Sequence, residues 1–225
     1  MSRNDMVGAG CMGRVGHSGR TAGLYIVDAV TGPEITVATP ADRPRAIGSL
    51  VAAFAGDPVL RYLFPEDATY PRYAAAFFGH LFDKRVHQET IWTIGHGASV
   101  AMWDAPAVRD ATTVREGPPD GGLAVRLPAD ALARVDAYDE AVRAALPTIP
   151  FWYLGVLGTH PDHAGRRWGR AVMAAGLRRA AAEGLPAMLE TSNPANVDVY
   201  RRAGWEVVLV VAEPLPIWIM RQPAG

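Results

Sequence analysis

A turn rich in glycine and arginine, within residues 157–173, carries the clearest chemical signal in this chain. Its letters, LGTHPDHAGRRWGRAVM, join an apolar strand to an amphipathic helix. The first amides of a helix lack partners and, with the helix dipole, attract an anion, while glycine lets the backbone approach a phosphate closely. Arginine adds forked donors that match phosphate oxygens, although each arginine taken alone is better explained as a solvated surface residue. Together they predict a pyrophosphate cradle formed by Gly165, Arg166, Arg167, Trp168, Gly169 and Arg170.

Two other kinds of nucleotide site have less support. No Lys-Ser or Lys-Thr pair follows the glycines of the turn, so it is not a Walker loop for magnesium-nucleotide hydrolysis. Gly8, Gly10 and Gly13 have the spacing of a dinucleotide fingerprint, but no strand is predicted before them and no helix after them. Coincidence explains that spacing better, and a different phosphate-bearing cofactor is expected.

Hydrophobic patterning predicts the elements that must position the turn. Alternation predicts strands at 35–39, 90–94, 98–103, 151–158, 187–191, 205–212 and 215–220. Helical spacing predicts helices at 47–54, 74–82, 132–146, 169–183 and 194–203, the last with Asn193 at its N-cap. The alternation of strand and helix in the last third predicts a βαβ core with parallel strands, followed by a terminal hairpin.

Composition limits the class of protein. The chain has 225 residues, 49% hydrophobic and 20% charged, which is enough apolar material for one globular α/β domain. A net charge of −1 provides no broad field for nucleic acid or an anionic membrane, and the single Cys11 is too few for a cysteine zinc site. We predict a flexible tail over residues 1–34 and one domain over 35–225. The expected protein is cytoplasmic, a monomer or homodimer, with no metal, nucleic-acid or membrane partner.

The stretch HPDHAGRRWGRAVM resembles the acyl-CoA pyrophosphate loop of the GNAT superfamily of N-acetyltransferases. That pattern is Gln or Arg, two residues, Gly, one residue, then Gly or Ala; Gly165, Arg166 and Gly169 fit it. Ala164 stands where Gln or Arg is usual, and Arg167 stands where the first Gly is usual. If the Arg167 position needs a left-handed backbone, its side chain costs about 1–2 kcal/mol and weakens cofactor binding.

Two further stretches, at 189–205 and 52–65, resemble the puromycin N-acetyltransferase group of the same superfamily. They read LETSNPANVDVYRRAGW and AAFAGDPVLRYLFP. The resemblance implies an α/β GNAT fold: a mixed, mostly antiparallel, splayed sheet with a central βαβ acyl-CoA-binding core flanked by helices. It also implies acetyl-CoA as co-substrate, with its pantetheine arm paired to main-chain groups of Leu157, Gly158 and Thr159.

The same resemblance implies roles for residues of the last helix. Tyr200 would protonate the departing thiolate, and Asn196, one turn earlier on the same face, would contact the cofactor together with Asn193. The alternative for Tyr200 is a packing role against Trp205, and from the residues alone the two have comparable support.

Acyl transfer to an amine also needs a group that removes a proton from an alkylammonium ion. Glu190 is the best candidate because it ends the apolar strand Ala187-Met188-Leu189, where partial burial would raise its pKa toward neutrality. A structural carboxylate that caps the next helix is nearly as well supported. His160 and Asp162 are weaker candidates, because a loop before a phosphate cradle commonly carries polar residues without catalytic duty.

The function expected from these residues is transfer of an acetyl group from acetyl-CoA to a primary amine of a small molecule, by direct attack on the thioester. The acceptor would lie among the first helices, the hairpin and the insertion after Trp103. Two alternatives remain open: a sensor module that binds acyl-CoA without turnover, and an acetyltransferase that acts on a protein N-terminus or lysine.

Overall fold

The structure is a computed structural model that describes residues 33–106 and 122–224. The predicted tail, apart from residues 33 and 34, lies outside this part, as do Cys11, the N-terminal glycine spacing and most of the insertion after Trp103. None of the described helices is both long and apolar enough to cross a membrane.

The described elements follow the predicted order. The strands are β1 (Ile35–Val37), β2 (Ile91–Ile94), β3 (Ser99–Asp104), β4 (Trp152–Thr159), β5 (Ala187–Thr191), β6 (Glu206–Val211) and β7 (Ile217–Gln222). The helices are α1 (Arg43–Ala53), α2 (Pro58–Leu63), α3 (Tyr70–Val86), α4 (Ala129–Ala145), α5 (Trp168–Ala182) and α6 (Pro194–Arg201).

Most boundaries differ from the sequence prediction by one to four residues, and two differences, at α2 and β7, have a clear physical reason. The sequence pattern did not predict α2 as a separate helix. It begins at Pro58, where the Asp57 carboxylate accepts hydrogen bonds from the amides of Val59 and Leu60. Strand β7 begins two residues later than predicted, after Pro216, since proline has no N–H for the ladder.

The strands form one seven-stranded sheet in the order β1-β2-β3-β4-β5-β7-β6. Only β4 and β5 run parallel, joined by α5, and the other pairs are antiparallel. The predicted βαβ core, the terminal hairpin and the GNAT fold class are therefore confirmed. The hairpin folds so that β7, its second strand, pairs with β5, and β6 becomes the edge.

Helices cover both faces of the sheet. On one face, α1, α3 and α4 bury the predicted phenylalanine stripe, with Phe78 and Phe82 inaccessible to solvent. On the other face, α5 packs so closely on β3 that a Cβ added to Gly176 would lie 2.2 Å from Trp103. Tight packing on both faces holds β3 and β4 rigid at the centre of the sheet.

Strands β4 and β5 separate after a short paired stretch. Residues 152–154 pair with 187–189, and beyond Leu154 strand β4 stays on β3 while β5 stays on β7. A bulge in β4 at Gly155 accompanies the separation, since the β3–β4 register shifts there. The result is a cleft between two strands of one sheet, where the backbone edge of residues 155–159 has no strand partner on the side of β5.

Candidate active site

The start of helix α5 differs from the starts of α2 and α6. Asp57 and Asn193 cap α2 and α6 through their side chains, whereas Arg167 provides no side-chain cap to α5. The first turn of α5 also contains no acidic residue, and its first bond runs from the Ala171 amide to the Arg167 carbonyl. The amides of residues 168–170 therefore have no acceptor within the helix, which is the condition for binding an anion.

The backbone of this turn has two left-handed residues. Gly165 has φ of 78°, and Arg167 has φ of 61° and ψ of 17°. Arg167, at the position where the family pattern has glycine, thus has a left-handed backbone, which costs a residue with a Cβ about 1–2 kcal/mol. Strain of this kind persists where surrounding structure imposes it.

The side chains of the turn lie outward. Arg166, Arg167 and Arg170 are exposed, and the Arg166 guanidinium lies over the Trp168 ring at 5.3 Å from its centroid. Trp168 in turn stacks on His163, with centroids 4.6 Å apart. The arginines provide positive charge around the helix start. The His160 side chain accepts a hydrogen bond from the Asp162 amide at 3.2 Å.

The end of β4 meets the start of α5. A Cβ added to Gly169 would lie 3.3 Å from Thr159 Oγ1, and Thr159 Oγ1 is 2.8 Å from Ser99 Oγ. At Gly158, an added Cβ would lie 2.6 Å from Leu50 and 3.0 Å from Phe54. Helix α1 and the residue after it therefore pack directly on the Gly158 backbone, which only glycine permits. Leu157, on the opposite face, contributes to the cluster under α5.

Glu190 lies across the cleft on β5. Its carboxylate accepts a hydrogen bond from the Tyr153 hydroxyl, and burial raises the pKa of Glu190 to about 7. This is the direction that its position in the strand predicted. The capping alternative is wrong, because the side chain of Asn193 accepts from the Ala195 amide at the start of α6. The side-chain oxygen of Asn193 is thereby used in the cap, and its NH₂ group is left to contact a ligand.

Tyr200 has the packing role considered from the sequence, and its role as an acid stays a prediction. Its ring packs edge-on against Trp205, with centroids 6.1 Å apart, and it shares a face of α6 with Asn196. Burial first, and then the charge of Glu190, raises the pKa of Tyr200. The phenol therefore stays protonated throughout the working pH range, and its hydroxyl is electrostatically coupled to Glu190.

The structure adds groups that sequence reasoning missed. Tyr153 and Tyr138 lie beside Glu190, whose charge, after burial, raises the pKa of both phenols. The charge of Asp57 also raises the pKa of Tyr138 and of Tyr200, by less than burial does. Asp-Pro at 57–58 is a recognisable helix start, whereas Tyr138 and Tyr153 lie in a predicted helix and a predicted strand with no motif that marks them. No group of three or more potential metal ligands occurs among the described residues.

Comparisons with known proteins agree with this geometry. Residues 131–205 match the model of the Acetyltransferase (GNAT) family. The fold is similar to a crystal structure of histone acetyltransferase HPA2 and related acetyltransferase from Corynebacterium glutamicum, with TM-score 0.63, 22% identity and coverage of 87% of this chain and 98% of that one. It is also similar to arylalkylamine N-acetyltransferase 2 from Aedes aegypti, with TM-score 0.57, 10% identity and coverage of 87% and 100%.

The fold is similar as well to the C-terminal condensation domain of Ebony, with TM-score 0.57, 12% identity and coverage of 84% of this chain and 97% of that one. Identities this low carry the fold alone. The family match covers the βαβ core and its cradle, about a third of the chain, and the fold agrees with that of GNAT acetyltransferases. The family match and the fold together support an N-acetyltransferase enzyme.

Proposed function

We propose that the chain transfers the acetyl group of acetyl-CoA to a primary amine of a small molecule. The observation that carries this proposal is the continuity between the uncapped start of α5 and the unpaired edge of β4, which meet at Gly169 and Thr159. A ligand with a diphosphate at one end and a chain of amides at the other matches both surfaces at once.

The donor set fits such a ligand. The amides of residues 168–170 and the arginines around them would hold the pyrophosphate, and the main chain of 157–159 would pair with pantetheine amides as an added strand would. When bound, acetyl-CoA supplies a thioester. Asn193 and Asn196, at the start of α6, would contact the cofactor from the other side of the cleft.

Glu190 is proposed to take a proton from the acceptor. An alkylammonium ion has a pKa of about 10 and has no lone pair for attack, so a base is required. A carboxylate with a pKa of about 7 is half ionised near neutral pH and accepts a proton more readily than an exposed glutamate. The free amine forms a C–N bond with the acetyl carbon while the C–S bond breaks.

Tyr200 is proposed to give its proton to the departing thiolate, and its coupling to Glu190 orders the two transfers. While Glu190 is ionised, its charge raises the pKa of Tyr200 and holds the phenolic proton. Once Glu190 has accepted the proton of the ammonium, that charge is gone and Tyr200 becomes a stronger acid. The second proton lost by the nitrogen restores the phenol, so the protons balance.

The experiment is thiol release from acetyl-CoA across a panel of small primary amines, by the full chain and by Tyr200→Phe. The phenyl ring retains the packing on Trp205. The proposal expects amine-dependent thiol release, and a loss of about 10²-fold or more in kcat for the variant, with acetyl-CoA affinity unchanged. Turnover unchanged in Tyr200→Phe would refute the acid role. Acetyl-CoA binding without release for every amine would favour a sensor.

A further inference from the structure

Tyr153 and Glu190 belong to neighbouring strands and lie on the same face of the sheet. Tyr153 of β4 pairs with Met188 of β5, and side chains two residues apart along a strand point to the same face. Glu190 therefore shares the face of Tyr153, one step beyond the last paired residues, Leu154 and Leu189. The Tyr153 hydroxyl donates to Oε2 of Glu190 at this point, where the two strands separate.

Gly155 leaves room for this contact. In the register of the last pair, the next residues along the two strands are Gly155 and Glu190, and glycine has no side chain to occupy the space between them. A Cβ added to Gly155 would lie 3.4 Å from Cε1 of Tyr153 and 3.2 Å from Nη2 of Arg85. The Tyr153 ring therefore reaches diagonally past the glycine to the carboxylate.

Both side chains of the hydrogen bond keep part of their surface accessible. Tyr153 and Glu190 are partly buried, whereas Leu154 and Leu189, the last paired residues, are fully buried. The Tyr153 ring packs edge-on against Phe151, with centroids 6.4 Å apart, which fixes its direction. An ammonium group that enters where the strands separate can therefore reach the carboxylate without displacing either strand.

Burial and this hydrogen bond are the two largest influences on the pKa of Glu190. Burial raises it, and the bonds from Tyr153 and then from its own backbone lower it. The charge of Asp139 on α4 raises it further, and the charge of Arg85 on α3 lowers it, each by less than the bond from Tyr153 does. Arg85 is itself paired with Asp104, Nη2 to Oδ2 at 2.7 Å. Among the described side chains, Tyr153 therefore has the strongest effect on the ionised form of Glu190.

Two other phenols face Glu190 without adding a charge. Burial, and then the charge of Glu190, raises the pKa of Tyr138 on α4 and of Tyr200 on α6. Both stay protonated near pH 7, as does Tyr153, whose pKa is also raised first by burial and then by Glu190. A change of pH near 7 therefore alters the charge of Glu190 and not that of the phenols around it.

A carboxylate that acts as a base must present one oxygen to the proton in a fixed direction. We propose that Tyr153 is a positioning residue for acetyl transfer: its hydroxyl holds Oε2 of Glu190, so that Oε1 meets the ammonium group of the acceptor. The ammonium proton moves to Oε1, Tyr153 keeps its own proton, and the amine is left with its lone pair for attack. This inference rests on the proposed function.

The test compares the pH dependence of the wild type with that of Tyr153→Phe, for the amine that the wild type acetylates best. Phenylalanine keeps the ring against Phe151 and removes only the hydroxyl. Loss of a hydrogen bond to the ionised form raises the pKa of a carboxyl, so the break in kcat/KM near pH 7 should move up by about one pH unit. At pH 6 the kcat/KM of the variant should therefore be about tenfold lower, with acetyl-CoA affinity unchanged.

A second measurement does not depend on turnover. The side-chain carboxyl of Glu190, labelled with ¹³C and assigned with Glu190→Gln, is titrated by NMR, and its pKa should rise in Tyr153→Phe by the same amount as the kinetic break. Tyr138→Phe is the matched control. This phenol senses the charge of Glu190, whereas the hydrogen bond to the carboxylate comes from Tyr153, so neither the break nor the titration should move.

Three results would overturn the positioning role while leaving N-acetylation intact: a kinetic break that stays near pH 7 in Tyr153→Phe, a carboxyl titration that does not move, or shifts of equal size in Tyr138→Phe. The wild type distinguishes these results from failure of the proposed function. If it releases no thiol with any amine, the proposed function is rejected, and the role of Tyr153 in catalysis is rejected with it.

Discussion

At the scale of single residues, the site depends on how burial changes a carboxylate. Glu190 occupies the point where β5 leaves β4, so that its side chain lies among Tyr138 and Tyr153 rather than in water. Burial raises its pKa to about 7, against the hydrogen bond from Tyr153, which lowers it. The same carboxylate on an exposed strand end would be fully ionised at neutral pH and a weaker base.

Glu190→Gln gives a prediction for pH dependence. Below pH 7 Glu190 is protonated and cannot accept a proton, and above it the carboxylate is free. The wild-type kcat/KM should therefore rise about tenfold per pH unit below 7 and level off above it, whereas Glu190→Gln, which can use only the free amine, should keep rising toward the amine pKa of about 10. A wild-type profile that rises to pH 9 without a break near 7, parallel to that of the variant, would show that Glu190 is not the base.

Residue identities in the site were only partly predictable. Glu190 could be found because a carboxylate that ends an apolar run is unusual, and Tyr200 because the family pattern points to it. Tyr153 could not, since a tyrosine within a predicted strand carries no sign of the carboxylate it will meet. Its hydrogen bond to Glu190 comes from tertiary packing.

At the scale of elements, α5 is the helix that joins the cradle to the sheet. Its N-terminus carries the strain of Arg167, and its middle packs on Trp103 through Gly176. The sequence predicted the helix within a residue of its start, because glycine, arginine and periodic apolar residues mark that start together. The close approach at Gly176 was not predicted, since one glycine in a helical pattern has no partner visible in the sequence.

Replacement of Arg167 by glycine should stabilise the fold. Removal of the Cβ relieves the left-handed strain, and the flexibility of glycine in the unfolded chain offsets part of this gain. The free energy of unfolding should therefore rise by about 1 kcal/mol, and Tm by about 2–4 °C. Arg166→Gly is the matched control, because the described φ at Arg166 is negative, and it should lower Tm. Thermal unfolding without ligand measures both; equal shifts in the two variants would contradict the account of strain.

Replacement of Gly176 by alanine should destabilise the fold. The new Cβ would lie 2.2 Å from the buried Trp103 indole, which cannot yield, so a loss of about 1–3 kcal/mol is expected. Gly48→Ala in α1 is the control, since nothing lies within 4 Å of its Cβ, and it should gain about 0.5–1 kcal/mol. Urea denaturation compares the two, and a neutral Gly176→Ala would show that α5 and β3 are not in such close contact.

At the scale of the whole molecule, the candidate site lies where strands β4 and β5 of the sheet separate. The alternation of strand and helix predicted the parallel β4–β5 pair and the terminal hairpin, which are local in sequence. The order β5-β7-β6 and the length of the β4–β5 pairing could not be read from local patterns, because they depend on contacts between distant segments. Yet the three-residue pairing and the bulge at Gly155 are what open the edge of β4 beside the start of α5.

The central claim is that this opening binds acetyl-CoA, and calorimetric titration of the full chain with acetyl-CoA tests it most directly. The account predicts saturable binding of one acetyl-CoA per chain, competed by CoA and weakened when salt screens the arginines around residues 165–170. A flat titration, with no heat of binding and no competition at any salt concentration, would contradict it.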